Sequence, residues 1–372
     1  MGLYEERLER VKAAIKFEPV DKVPFLSGGP AAMAAYEGVV LKDYINDMEL
    51  NCKTNIDFCN DFNVDGTQAP IFTPRLLCAL WLSEVRVSGD GIVPDNELWQ
   101  IEESERMTQD DYDKILEMGF DAWTDKFLHE QYGNAVEKAA PYFEYYPTAL
   151  KRFKEAGIPS FADSMFESPF EQICGARSLE AFVMDDLMEI PEKVSETFDL
   201  IHKFNMVKYE NMIKDPATRP LGVWIGGWRG TPSMLSPQMF ETFSWKYMKD
   251  YIDLCIQYDV IPLCHLDSNW DLGIHYFKEM PEKKMILSLD GASDIFKAKE
   301  VLDGHSCLMG DVRADMLAFS KKEDVYDYCC KLIREVGPKG YIMCSGCDVP
   351  FNANFENVRQ MQKAVEDYGK VN

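Results

Sequence analysis

Short apolar runs recur along the chain, each bounded by polar or turn-forming residues. They fall at 23–26, 63–66, 158–163, 221–226, 260–265, 285–290, 306–311 and 341–345. Runs of this length without polar alternation predict strands buried on both faces. Between them the apolar period changes to that of helices. Residues 5–16 place Leu8, Val11, Ala14 and Ile15 on one face before Pro19 stops the pattern. Later helices are predicted over 237–258, 294–302, 322–336 and 355–368, the first opened by the cap-like Ser236-Pro237. Eight strand–helix alternations predict an α/β fold, a closed (β/α)8 TIM-like barrel of parallel strands.

One connection is oversized. About ninety residues separate Gly66 from Ile158, and they carry their own signals. Segments 83–88 and 97–102 bracket Gly89-Asp90-Gly91 and read as a hairpin; 109–118 and 142–156 read as helices. The expectation is one barrel domain over 1–372, with an insertion at 67–156 after the second strand, lying over the barrel mouth. A separate small domain is the alternative.

Composition narrows the partners. Lys and Arg number 39 against 63 Asp and Glu, a net charge of −24. Nucleic acid and anionic membranes would be repelled, so neither is expected as a partner. No apolar run approaches a membrane span. The start, Met1-Gly2-Leu3-Tyr4-Glu5-Glu6-Arg7, is charged where a signal peptide needs an apolar stretch, which gives a cytoplasmic expectation with reduced thiols for the 11 Cys. A homodimer stays open as an assembly.

In a barrel the chemistry sits at the C-terminal strand ends. There the sequence offers Asp65, Asp163, Trp228, Arg229, His265, Asp267, Asp290, Asp311, Cys344 and Cys347. The stretch Pro262-Leu263-Cys264-His265-Leu266-Asp267 and the later Cys344-Ser345-Gly346-Cys347 place imidazole, carboxylate and thiolate at two such ends. This mixed set suits Zn²⁺ with one position open. The expected metal ligands are His265 and Cys347, with Asp267 or Cys307 as a third; Cys344 is an alternative to Cys347, and a core cysteine is the plain reading of Cys307. Asp163 and Asp311 are the candidate proton donors. Trp228, Arg229, Trp270 and Phe166 are candidates for the substrate pocket, with Trp224 and Phe170 nearby. Gly226-Gly227-Trp228-Arg229-Gly230 is the best pocket loop, and Arg229 is suited to a substrate carboxylate or to an aspartate salt bridge.

Several of these residues carry a family likeness. Arg7-Leu8-Glu9-Arg10-Val11-Lys12-Ala13-Ala14-Ile15, then Glu18-Pro19-Val20-Asp21-Lys22-Val23-Pro24-Phe25, resembles the opening of the uroporphyrinogen decarboxylase superfamily. Leu235-Ser236-Pro237-Gln238-Met239-Phe240, His265-x-Asp267 and Gly346-Cys347-Asp348-Val349-Pro350 extend the resemblance from about residue 5 to about residue 365. The true decarboxylases carry Arg-Gln-Ala-Gly-Arg soon after the first strand to hold porphyrinogen carboxylates. Here that place reads Leu26-Ser27-Gly28-Gly29-Pro30-Ala31-Ala32-Met33, and no Arg occurs between Arg10 and Arg75. The decarboxylase reading is set aside on that ground.

The other branch resembled is that of corrinoid-dependent methyltransferases. The coenzyme M enzymes carry His-x-Cys and a distant Cys; His265 and Cys347 match, and Asp267 stands in for the middle Cys. About forty residues separate Cys307 from Cys347, a spacing similar to one in a demethylating methyltransferase of this kind. The resemblance, with a carboxylate that hardens the site towards oxygen ligands, implies zinc-assisted transfer of a methyl group from a small methylated aromatic, an aryl methyl ether, to Co(I) of a corrinoid. The chain lacks an Asp-x-His-x-x-Gly corrinoid motif, so the corrinoid is expected on a partner protein. Transfer in the opposite sense, from methylcorrinoid to a thiol, is the alternative, and a non-catalytic binding barrel a second.

Overall fold

The computed structural model describes residues 2–370. Its centre is a ring of parallel strands. β1 (Leu26–Ser27) pairs with β2 (Gly66–Thr67), and a short antiparallel pair, β3 (Glu84–Arg86) and β4 (Gln100–Glu102), follows. β5 (Ser164–Phe166), β6 (Gly222–Gly227), β7 (Ile261–Leu266), β8 (Ile286–Leu289), β9 (Cys307–Val312) and β10 (Tyr341–Ser345) form a six-stranded parallel sheet in sequence order. Two parallel bridges close the ring. Phe25 meets Met343, whose N–H donates to the Pro24 carbonyl at 2.8 Å, and Thr67 meets Ser160. The eight-stranded barrel is therefore as the apolar runs predict, and it has no free edge.

The barrel interior is filled rather than hollow. Phe161, Leu263, Ile286, Cys307, Met309, Ile342 and Cys344 pack together and against Val11, Ala14 and Ile15 of the helix Leu3–Ile15. That helix plugs the floor. Its buried Arg10 is held by Asp21 at 2.7 Å and Asp65 at 2.6 Å, and Arg7 donates to the Gly157 carbonyl at 3.0 Å. A buried guanidinium is tolerated because each is met by acceptors. Asp65 thus serves the floor and is not a residue of the mouth.

The long connection holds the β3–β4 pair and the helices Asp110–Met118, Phe120–Tyr132 and Ala140–Glu155. The first and last match the predicted helices, and Phe120–Tyr132 adds to them. The expected hairpin is present as the antiparallel β3–β4 pair, its connection running from Val87 to Trp99 around Gly89-Asp90-Gly91. Trp123, Phe127 and Phe153 of this segment belong to one contiguous core with Phe166, Ile173 and Val223 of the barrel side. No helix of the described residues is long and apolar enough to cross a membrane.

Candidate metal centre and its cavity

Strand alternation sends Leu263 and His265 of β7 into the barrel. Leu263 joins the floor; His265 stands one layer higher, nearer the mouth. In the ladder His265 lies opposite Ser288 of β8, and its Nδ1 is 3.1 Å from Ser288 Oγ. The other ring nitrogen, Nε2, lies 3.3 Å from Asp267 Oδ1. Just beyond β7 the chain is pinned. Asp267 N–H donates to the Gly227 carbonyl at 3.0 Å, and Ser268, at φ 66°, donates its N–H to Asp290 Oδ2 at 2.8 Å. Asp290, a strand-end carboxylate by sequence, is thus a clamp for this turn.

Cys347 arrives from β10. Gly346 N–H donates to the Val312 carbonyl, and a Cβ on Gly346 would come 2.2 Å from the Asp290 carbonyl oxygen, so only glycine lets this turn pass so close. Ligand atoms of His265, Asp267 and Cys347 all lie within 4.8 Å of one another. Tetrahedral zinc with bonds of roughly 2.0–2.3 Å needs ligand atoms about 3.3–3.8 Å apart, a small contraction from this arrangement. The donor set therefore fits a zinc ion with one position left for substrate. Burial disfavours the imidazolium of His265, yet the neighbouring Asp267 and Cys347 groups hold its pKa well above the usual value. Burial raises the Cys347 thiol, and His265 opposes that rise. Metal binding would release these protons.

The other predicted ligand does not join. Cys307 is fully buried in the floor layer, and burial raises its thiol far above the ordinary range, so it is the packing residue that its small apolar character suits. Cys344 sits in the same layer.

Neither predicted proton donor lines the cavity. Asp163 lies level with the start of β6, its Oδ2 accepting from Leu221 N–H at 3.1 Å and its Oδ1 without a partner; burial pushes it up to about 7. The ladder of the third barrel strand continues past it to Phe166, so the carboxyl sits low on the wall. Asp311 turns to the outer layer, where Tyr328 of the helix Lys322–Glu335 donates to it at 2.7 Å; burial pushes it up to about 6.

Of the four predicted pocket residues, Trp228 lines the cavity and three do not. Phe166 points outward and stacks on Tyr209 with ring centroids 4.0 Å apart. Trp270 is fully buried behind the turn, its Nε1 donating to the Asp267 carbonyl at 2.9 Å, so it supports the centre without facing it. Arg229 is bound to Glu103 at 2.6 Å, an acid of the long connection in place of the strand-end aspartate weighed from sequence.

The cavity above the three ligands has a volume of about 310 Å³, the lower end of the small-ligand range. Trp224 and Trp228 of the β6 side face Phe72, Trp81 and Trp99 of the long connection. Trp81 and Trp228 approach to 4.9 Å and Phe72 and Trp99 to 5.5 Å between ring centroids. Gly28, Gly29 and Met33 come from the segment after β1, and Gln68 and Asp348 supply polar edges. Asp348, part of the Cys347 motif read from sequence, lies exposed at the edge of the cavity. The tryptophans of the long connection carried no signal, because nothing in their spacing ties them to a strand end.

Two buried carboxylates support this wall and were also missed. Glu167 follows β5 directly, and Glu171 lies one turn on, in the helix Pro169–Arg177. Glu171 accepts the N–H groups of Trp228, Arg229 and Gly230 at 3.0–3.2 Å, which fixes the loop predicted as a pocket element. Glu167 accepts from Trp81 Nε1 at 3.0 Å. Burial pushes Glu171 up to about 7 and, with the Glu171 charge beside it, raises Glu167 well above the carboxylate range.

Comparison with known proteins agrees with this architecture. Residues 165–368, more than half of the chain, match the model of the uroporphyrinogen decarboxylase (URO-D) family. The chain belongs to that family. Among solved structures it is similar to a methyltransferase from Methanosarcina mazei, with a TM-score of 0.70 and 16% identity over 96% of this chain and 98% of that one. At that identity the likeness concerns the fold. No curated protein matches the chain.

Proposed function

We propose that this family member is a zinc-dependent methyltransferase that takes the methyl group of a small aryl methyl ether and passes it to the Co(I) corrinoid of a partner protein. The observation that carries the reading is the His265, Asp267 and Cys347 cluster at the base of a cavity walled by aromatic side chains. The methyltransferase named among the structural neighbours supports the reaction class, and the absence of any Lys or Arg among the cavity-lining residues speaks against a polycarboxylate substrate.

When bound, zinc would supply Lewis acidity towards the ether oxygen, easing departure of a phenolate. His265, Asp267 and Cys347 would hold it, and Ser288 fixes which imidazole nitrogen faces them. The Asp267 carboxylate, in place of a second thiolate, favours an oxygen ligand over a thiol. Trp224, Trp228 and Trp81 would sandwich the ring and exclude water, which keeps the methyl carbon directed to the open side of the cavity.

The test has two parts: zinc content of the purified protein, and loss of Co(I) absorbance when enzyme, reduced corrinoid protein and a panel of methoxyarenes are mixed. One zinc per chain and donor-dependent loss of Co(I) are expected. Methyl transfer seen only from methylcobalamin to thiols would replace this reading with the reverse reaction. No reaction in either sense would leave a binding role.

A further inference from the structure

The cavity is one-sided in charge. Its ionisable lining residues are His265, Asp267, Cys347 and Asp348. The guanidinium of Arg229, stacked on the wall residue Trp228 with its Cζ 4.0 Å from the ring centroid, is already neutralised by Glu103 at 2.6 Å. Zinc held by the Asp267 carboxylate and the Cys347 thiolate would have its two charges balanced. Asp348 is then left over. Among the described residues its side chain has no hydrogen-bond or ion-pair partner. It flanks Gly28 together with Gln68: a Cβ on Gly28 would lie 3.8 Å from Asp348 Oδ1 and 2.9 Å from Gln68 Nε2. Glycine at that position keeps the gap between amide and carboxylate open to a ligand.

A ring bearing a carboxylate would enter this space at a double cost. It would shed hydration without meeting a cationic side chain on the cavity wall, and it would face the like charge of Asp348. A ring without charge meets neither cost. It gains the aromatic walls, and the free Gln68 amide can donate to or accept from a hydroxyl or ether oxygen. Resting on the aryl-ether reading above, we propose that the donor is an uncharged methoxyarene and that Asp348 is the specificity-determining residue that turns away carboxylated analogues.

The experiment is ligand binding, read by quenching of tryptophan fluorescence, with and without zinc. The probes are a methoxyphenol, the methoxybenzoate of the same shape and phenyltrimethylammonium, each with the wild type, Asp348→Asn and Asp348→Lys. Thermal melts confirm that each variant is folded. The methoxyphenol is expected to bind the wild type at least tenfold more tightly than the methoxybenzoate. That gap should narrow at least threefold in Asp348→Asn and close or invert in Asp348→Lys. Equal or tighter binding of the methoxybenzoate to the wild type overturns the proposal, as does a gap that Asp348→Lys leaves unchanged. Tighter binding of phenyltrimethylammonium than of the methoxyphenol overturns the uncharged class. Binding of neither methoxyarene overturns the aryl-ether reading along with it, whereas binding without discrimination leaves that reading standing.

Discussion

The imidazole of His265 and the hydroxyl of Ser288 face each other at 3.1 Å from neighbouring strands, at positions that are directly in register. The contact occupies Nδ1 and leaves Nε2 for Asp267 and whatever lies between it and Cys347. Neither partner depends on a loop, so the orientation is set by the barrel itself.

Ser288→Ala should therefore weaken zinc binding without removing it. A partner of this kind is worth roughly 10–100-fold in metal affinity. Competition with a chromophoric chelator measures it, and an unchanged dissociation constant would show that the hydroxyl does not orient the ring.

Cys347 and Cys307 should separate cleanly. Cys347→Ala or His265→Ala should lower bound zinc to well below one per chain. Cys307→Ala should keep full metal and instead lose about 1 kcal/mol of stability by emptying part of the packed floor. Zinc analysis alongside denaturant melts distinguishes the two, and metal loss in Cys307→Ala would return that residue to the site.

Asp163 gives a prediction with a definite sign. Its folded-state value of about 7 lies above the ordinary carboxyl value of 3.8. Between those pH values the folded chain keeps a proton that the unfolded chain has lost, so stability falls as pH rises through the window and the full penalty applies above 7. Asp163→Asn removes the titration. It should stabilise the protein at pH 8 by about 1–3 kcal/mol, within a ceiling of about 4, and much less near pH 4. Melting curves at the two pH values test this; a gain larger at pH 4 would contradict it. Under the proposed function, methyl transfer should persist in this variant, because the carboxyl does not line the cavity.

Trp99→Ala should raise the dissociation constant for a methoxyarene about five- to tenfold, the worth of one aromatic contact. Trp99 is partly exposed at the cavity rim, so the melting midpoint should hardly move. A large loss of stability with unchanged binding would show it to be a packing residue only.

The strands were legible because each is buried on both faces and reads as an unbroken apolar run. The same property hid which side each residue takes. Phe166 and Trp224 are equally apolar in sequence, but one faces the helices and the other the cavity. Carboxylates misled for a related reason. Asp163 and Asp311 look like polar strand ends, yet both point away from the mouth, one low on the wall and one against Tyr328. The true end of the third barrel strand is marked by Glu167, past an apolar pair that reads as loop. His265, Asp267 and Cys347 were legible because the turn after each strand is short, so position in the chain nearly fixes position in space. No such rule locates Trp81 or Trp99.

The metal-ligand candidates come from strand ends, while Phe72, Trp81 and Trp99 come from the stretch between the second and third barrel strands. Under the proposed function, the metal ligands and part of the aromatic wall thus lie in different parts of the chain, while Trp224, Trp228 and Asp348 line the same cavity from the barrel side. Under that function, exchanging side chains on the stretch between residues 68 and 159 would change which ether is accepted while His265, Asp267 and Cys347 stay in place.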